Sequence, residues 1–89
     1  MTWKSYKRTY IQRHHPIICA VCGTFRLIDL HHIIPRSVDS SLEFVDSNIV
    51  PLCRLHHFIF GHRSNWSQTN PNVLQDIQHA KSFTFQNLN

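Results

Sequence analysis

Acidic residues, glycine and cysteine are all sparse in this chain. Asp and Glu number 5 against 9 Lys and Arg, there are only 2 glycines, and the 3 cysteines are odd in number. An odd set cannot pair fully within one chain, so a disulfide scaffold is not expected. No stretch reaches the roughly 20 apolar residues needed to span a bilayer. Met1 to Arg13 carries four basic residues and no apolar run, unlike a signal peptide. A hydrophobic content of 42% is too high for a disordered tail. The expectation is one soluble, intracellular domain, residues 1–89, without a membrane partner. So small a domain buries only about 60% of the surface its unfolded chain exposes, and a metal is the staple that fits.

The positive charge is placed unevenly. Lys4, Lys7, Arg8, Arg13 and Arg26 all precede the first acidic residue, Asp29, and Trp3, Tyr6 and Tyr10 interleave with them. Such a segment suits a polyanion. The plainer alternative is a solvated helix face whose aromatic residues pack on the core.

Residues 2–14 lack Gly and Pro, and Trp3, Tyr6, Tyr10 and Ile11 recur at helical spacing before Pro16, so the basic segment 1–16 reads as an amphipathic helix. Phe25 to Ile34 is mostly apolar or β-branched and reads as a hairpin arm or two short strands, stopped by Pro35. The Ser- and Asp-rich stretch 36–47 is a loop anchored by Leu42, Phe44 and Val45. Asn48 to Cys53 is too short and proline-bearing for a helix, whereas Arg54 to Gly61 suits one ending at its glycine. Asn70 and Pro71 are good N-cap and first-turn residues for a last helix over 70–81, with Val73, Leu74, Ile77 and Ala80 as its apolar stripe. Residues 82–89 are left unassigned.

Two clips carry metal chemistry. Cys19-x-x-Cys22 has the form of a zinc knuckle, with Gly23 after the second thiol, and Cys53-x-x-His56 repeats the two-residue spacing far along the chain. Three thiolates and one imidazole suit a structural, tetrahedral Zn²⁺. His57 adjoins His56, and either ring is able to complete that set. A second cluster comprises His31, His32, Asn48 and His57. Neighbours on an extended segment point to opposite faces, so His31 and His32 serve two roles: one ring can hold an ion while the other stands free as a base. An imidazole, ordinarily titrating near pH 6.5, can accept a proton at neutral pH. Alone, Asn48 reads as a turn or cap residue.

Taken together, Cys19-x-x-Cys22, His31-His32-Ile33-Ile34-Pro35, Asn48-Ile-Val-Pro-Leu-Cys53 and His56-His57 resemble the HNH endonuclease family, over about residues 17–62. The resemblance implies an α+β, zinc-stapled ββα-metal domain on a treble-clef scaffold, with flanking N- and C-terminal helices. It implies hydrolysis of DNA phosphodiester bonds, leaving 5′-phosphate and 3′-hydroxyl ends. By that resemblance His32 is the general base and Asn48 braces the loop and orients it. His31 and His57 bind one divalent ion (Mg²⁺, Mn²⁺, Ni²⁺ or Zn²⁺), and Cys19, Cys22, Cys53 and His56 hold structural zinc.

The chain departs from the pattern in two places. His56 stands where a cysteine is commoner, so His56 and His57 could exchange roles. Colicin-type members carry a further histidine where Gly61 stands, and His62 comes next. An offset of five residues turns His62 about 140° away from His57 on an α-helix. It becomes the third ligand only if the helix unwinds at Gly61.

The expected partner is double-stranded DNA of weak or unknown sequence preference, contacted by Lys4, Lys7, Arg8 and Arg36. A symmetric double-strand cut needs two active sites, so either a homodimer or a nickase follows. A cytoplasmic phage or mobile-element nuclease is the expected setting. The alternative is a non-catalytic zinc-finger module that binds nucleic acid or protein, and a purely structural protein would show no polyanion affinity.

Overall fold

The computed structural model describes residues 1–87, with side-chain surroundings through Lys81. Its first element, α1 (Trp3–Arg13), starts at Thr2, whose hydroxyl accepts from the Ser5 N–H while the Ser5 hydroxyl accepts from the Thr2 N–H. This reciprocal capping satisfies two otherwise orphaned donors. Tyr6 and Tyr10, one turn apart, are buried, while Ile11 is exposed and leaves the expected stripe. The carboxylate of Asp46 gathers the Tyr6 hydroxyl, the His14 ring and the Arg13 guanidinium, the last at 2.7 Å. These three hydrogen bonds hold the Asp46 carboxyl well below the usual carboxylate range.

Strand β1 (Ile28–His32) pairs antiparallel with β2 (Ile49–Cys53), Ile28 opposite Cys53 and His32 opposite Ile49. The expected arm over 25–34 is therefore a single five-residue strand. Leu27, just before it, takes a left-handed φ of 52°, which breaks an extended run, and Phe25 and Leu27 are exposed. Pro51 sits within β2 without a donor to offer, but its carbonyl accepts from the Ala20 N–H at 2.9 Å, which ties the cysteine turn to the open side of the strand.

Neighbouring residues of β2 serve different cores. Ile49 joins Tyr6, Tyr10 and Leu30 beside α1, whereas Val50 and Leu52 join Cys19, Val73 and Ile77. Leu52 has no exposed surface, and such burial stabilises by on the order of 2–3 kcal/mol.

After β2 comes α2 (Arg54–His56), which runs on into a π turn (His57–Gly61). The last element is α3 (Val73–Asn87), starting later and ending later than the expected 70–81. Asn70 still caps its entry, as expected: the side-chain oxygen accepts from the Asn72 N–H at 3.0 Å and the backbone carbonyl from the Val73 N–H at 3.2 Å. That side chain is buried, donates to the Phe60 carbonyl and the Asp76 carboxylate, both at 2.8 Å, and accepts from the Asn72 N–H and Arg63. The expected stripe loses Leu74, which is 48% exposed, while Val73 and Ile77 are buried. The described architecture is thus α+β, helices around a two-stranded antiparallel sheet. Among the described residues, no helix is long and apolar enough to cross a membrane.

Candidate metal centres and their surroundings

Cys19 and Cys22 come from the turn before β1, Cys53 from the end of β2 and His56 from α2. Together they form a group able to hold a metal ion. The His56 Nδ1 lies 3.3 Å from the Cys53 sulfur and 3.6 Å from that of Cys19, and the Cys22 and Cys53 sulfurs are 3.9 Å apart. A tetrahedral Zn²⁺ with bonds of about 2.3 Å to sulfur and 2.0–2.1 Å to nitrogen would separate its ligands by about 3.5–3.8 Å, so the donor set and spacing are compatible with zinc. Burial pushes the Cys19 thiol up, but hydrogen bonding from Cys53, Cys22, Val21 and His56 overrides it and brings the thiol down to about 6. Cys22 is exposed, whereas Cys19 and Cys53 are buried.

A second group is built from His31 on β1, His57 at the start of the π turn and His62 just after it. The His57 Nε2 lies 3.1 Å from His31 Nδ1 and 3.2 Å from His62 Nε2. A regular α-helix would separate His57 and His62 around its axis. The π turn, hydrogen-bonding five residues along rather than four, returns position 62 to the side of position 57. Gly61 completes the fit: a Cβ there would lie 3.0 Å from the His57 ring and 3.1 Å from that of His31. His56 and His57 thus divide their duties, His56 facing the cysteines and His57 the histidines.

Hydrogen bonds set the tautomers of two members. The His57 Nδ1–H donates to Asp29 Oδ2 at 3.0 Å and the His62 Nδ1–H to the Gln68 carbonyl at 2.7 Å, so each presents an Nε2 lone pair to the centre of the group. Burial, then the neighbouring His57, His62 and His32 rings, hold the His31 imidazole down to about 3, so it is neutral. Its Nδ1 faces His57, and its Nε2 is buried with no partner among the described residues. Converging ring nitrogens with lone pairs repel one another unless a cation lies between them.

Asp29 is a site residue that motif reading passed over. It had a signal, since positions 29 and 31 of one strand share a face. Burial pushes its carboxyl up, but hydrogen bonds from His57 and from Arg54, at 3.3 Å, hold it below its ordinary value. A carboxylate behind a metal-binding imidazole fixes the ring and raises its basicity. Asp29→Asn is therefore expected to weaken ion binding by the histidine group about 10- to 100-fold while leaving the Cys/His group filled. Competitive titration with a chromogenic chelator resolves the two affinities, and equal affinity in variant and wild type would remove Asp29 from the site.

His32 lies apart from both groups. Its Nε2–H donates to the Glu43 carbonyl at 2.9 Å, which leaves Nδ1 with the lone pair, and its ring packs at a tilt against Trp3 with centroids 4.5 Å apart. Asn48, buried, spans the loop between the strands: its Oδ1 accepts from the Ile34 N–H at 2.8 Å, and its Nδ2 donates to the Ile34 and Leu42 carbonyls. Leu42 immediately precedes Glu43, so Asn48 steadies the segment that holds His32. A cavity of about 450 Å³ is bordered by Trp3, His31, His32, Arg36, His57 and His62.

Of the expected polyanion contacts, Arg36 borders this cavity, 3.5 Å from the Glu43 carboxylate and largely exposed. Lys4, Lys7 and Arg8 are exposed on α1 and enter no ion pair among the described residues, whereas Arg13 is spent on Asp46. His15 and His79 are exposed, and His14 leans on Tyr10 and Asp46. No protein-family model, curated protein or solved structure matches the chain.

Proposed function

We propose that the chain is a metal-dependent nuclease of the HNH kind, hydrolysing phosphodiester bonds of DNA at the cavity shared by His32 and the histidine group. The observation that carries this reading is one base-competent imidazole beside three ring nitrogens converging on a point, all bordering one opening. In a zinc-binding module without chemistry, the Cys/His group alone would suffice. The treble-clef scaffold belongs to the same proposal, resting on the order of cysteine turn, paired strands and ligand-bearing helix.

His31, His57 and His62 would hold the divalent ion, and an all-imidazole set suits Zn²⁺ or Ni²⁺ better than the oxygen-preferring Mg²⁺. When bound, that ion supplies positive charge to a scissile phosphate and its leaving oxygen. His32 acts through Nδ1, taking a proton from the attacking water as the water oxygen bonds to phosphorus. The bond from phosphorus to the 3′ oxygen breaks, and that oxygen takes a proton from solvent. Donation from Nε2 to the Glu43 carbonyl keeps the ring from rotating and stabilises the imidazolium that forms. Asn48 keeps that carbonyl's segment in place.

Supercoiled plasmid incubated with Zn²⁺, Ni²⁺, Mn²⁺, Mg²⁺ or EDTA tests the reading. Relaxed or linear product with metal and none with EDTA supports it, and an intact plasmid in every lane with fully metallated protein overturns it. Binding to DNA should weaken steeply with salt, because neutralised phosphates release counterions. Removing Lys4, Lys7 and Arg8 together is expected to lower the slope of log K against log salt by about 2–3. Fluorescence anisotropy across a salt series measures this, and an unchanged slope would assign the exposed face of α1 to solvent alone.

A further inference from the structure

Trp66, on the loop between the π turn and α3, has no part in the mechanism above, yet it packs against two members of the histidine group. Its ring centroid lies 5.2 Å from that of His57, 5.0 Å from His62 and 5.1 Å from Phe58. Three aromatic neighbours pack against the indole, and still 55% of the residue is exposed. The loop beneath it is fastened where Gln68 accepts from His62. A large, supported and partly exposed aromatic side chain thus lies in contact with two residues of the histidine group.

We propose that Trp66 is a stacking platform for a nucleobase next to the scissile phosphodiester, and that the substrate is nucleic acid with an unpaired nucleotide there. The proposal rests on the nuclease reading. A base in an intact duplex offers only its edges in the grooves, its faces being covered by neighbouring pairs. An indole can stack only on a base that has left the helix, as at a single strand, gap, flap or mismatch. The excess of positive charge, with Arg36 on the cavity border, favours a polyanion over an apolar protein partner. Stacking tolerates any base, so this contact selects strand structure and not sequence.

Wild type, Trp66→Leu and Trp66→Phe are compared on a single-stranded oligonucleotide, a gapped duplex and an intact duplex, by anisotropy in EDTA and by cleavage with added metal. Affinity of the histidine group for Ni²⁺ is measured in parallel. The expected result is cleavage of single-stranded and gapped DNA by wild type at least about 10-fold above intact duplex. Trp66→Leu should weaken single-strand binding by about 10-fold or more, Trp66→Phe much less, and neither should weaken duplex binding comparably. Preference of wild type for the intact duplex overturns the proposal. So does an equal loss on all three substrates that tracks weakened Ni²⁺ binding, since Trp66 then only supports its histidine neighbours. If no substrate is cut, the nuclease reading fails by itself, and binding decides: single-strand affinity unchanged in Trp66→Leu overturns the platform, and selective loss sustains it.

Discussion

His32→Ala is expected to abolish most cleavage, by about 10²-fold or more for loss of a general base, while the protein stays folded and keeps both metal groups. His32 belongs to neither group: its nitrogen bonds the Glu43 carbonyl and its ring meets Trp3. Its removal leaves every metal ligand in place, so no metal concentration should restore the rate. His31→Ala and His57→Ala differ in kind, because each deletes a nitrogen from the converging set. Their rates should recover in part when the divalent ion is raised. Rate against metal concentration for the three variants, with circular dichroism as a control for folding, separates the roles. Near-normal cleavage by His32→Ala would sink the mechanism.

Cys22→Ser is expected to unfold the chain or leave it a poorly packed, metal-free globule. Cys22 is the informative choice because it is exposed, so the change removes a ligand with little loss of packing, which the same change at buried Cys19 or Cys53 would not allow. Structural zinc binding is worth about 10–16 kcal/mol in small zinc-finger peptides, as large as or larger than the 5–15 kcal/mol net stability of a typical domain. Here the two core clusters are small, and the Cys/His group joins the turn before β1 to the end of β2 and to α2. Elemental analysis should find zinc in the wild type at one per Cys/His group, and thermal melting should show a lost or broadened transition in the variant. A cooperative melt at the wild-type temperature would mean that the group does not staple the fold.

Much of this arrangement is legible in residue order because clip spacing and strand alternation are local properties. Two residues between ligands bring donors together whatever surrounds them, and alternation alone sends His31 and His32 to different neighbours. What stayed hidden depends on backbone detail or distant partners. Helical periodicity assumes an α-helix, so it separates His57 from His62, and Gly61 is the one local hint of the π turn that reunites them. Asn70 is legible as a cap, but its side-chain nitrogen also reaches the distant Phe60 carbonyl, which only folding brings to it. Arg13 reads as part of a basic face, and only folding brings Asp46 to it. Trp66, isolated in a polar stretch, gives no periodic signal, and its neighbours follow from the π turn as well.

The stretch from Cys53 to His62 supplies two members of the Cys/His group and two of the histidine group, with His56 and His57 joined by a single peptide bond. It works as a ruler whose graduations cannot be changed. A codon inserted or deleted within it would re-aim one pair of ligands relative to the other, whereas the loop between the strands could lengthen in its Ser-rich part without shifting any metal-binding atom. Length variation among chains built on this plan should therefore accumulate between the strands and stop at Cys53.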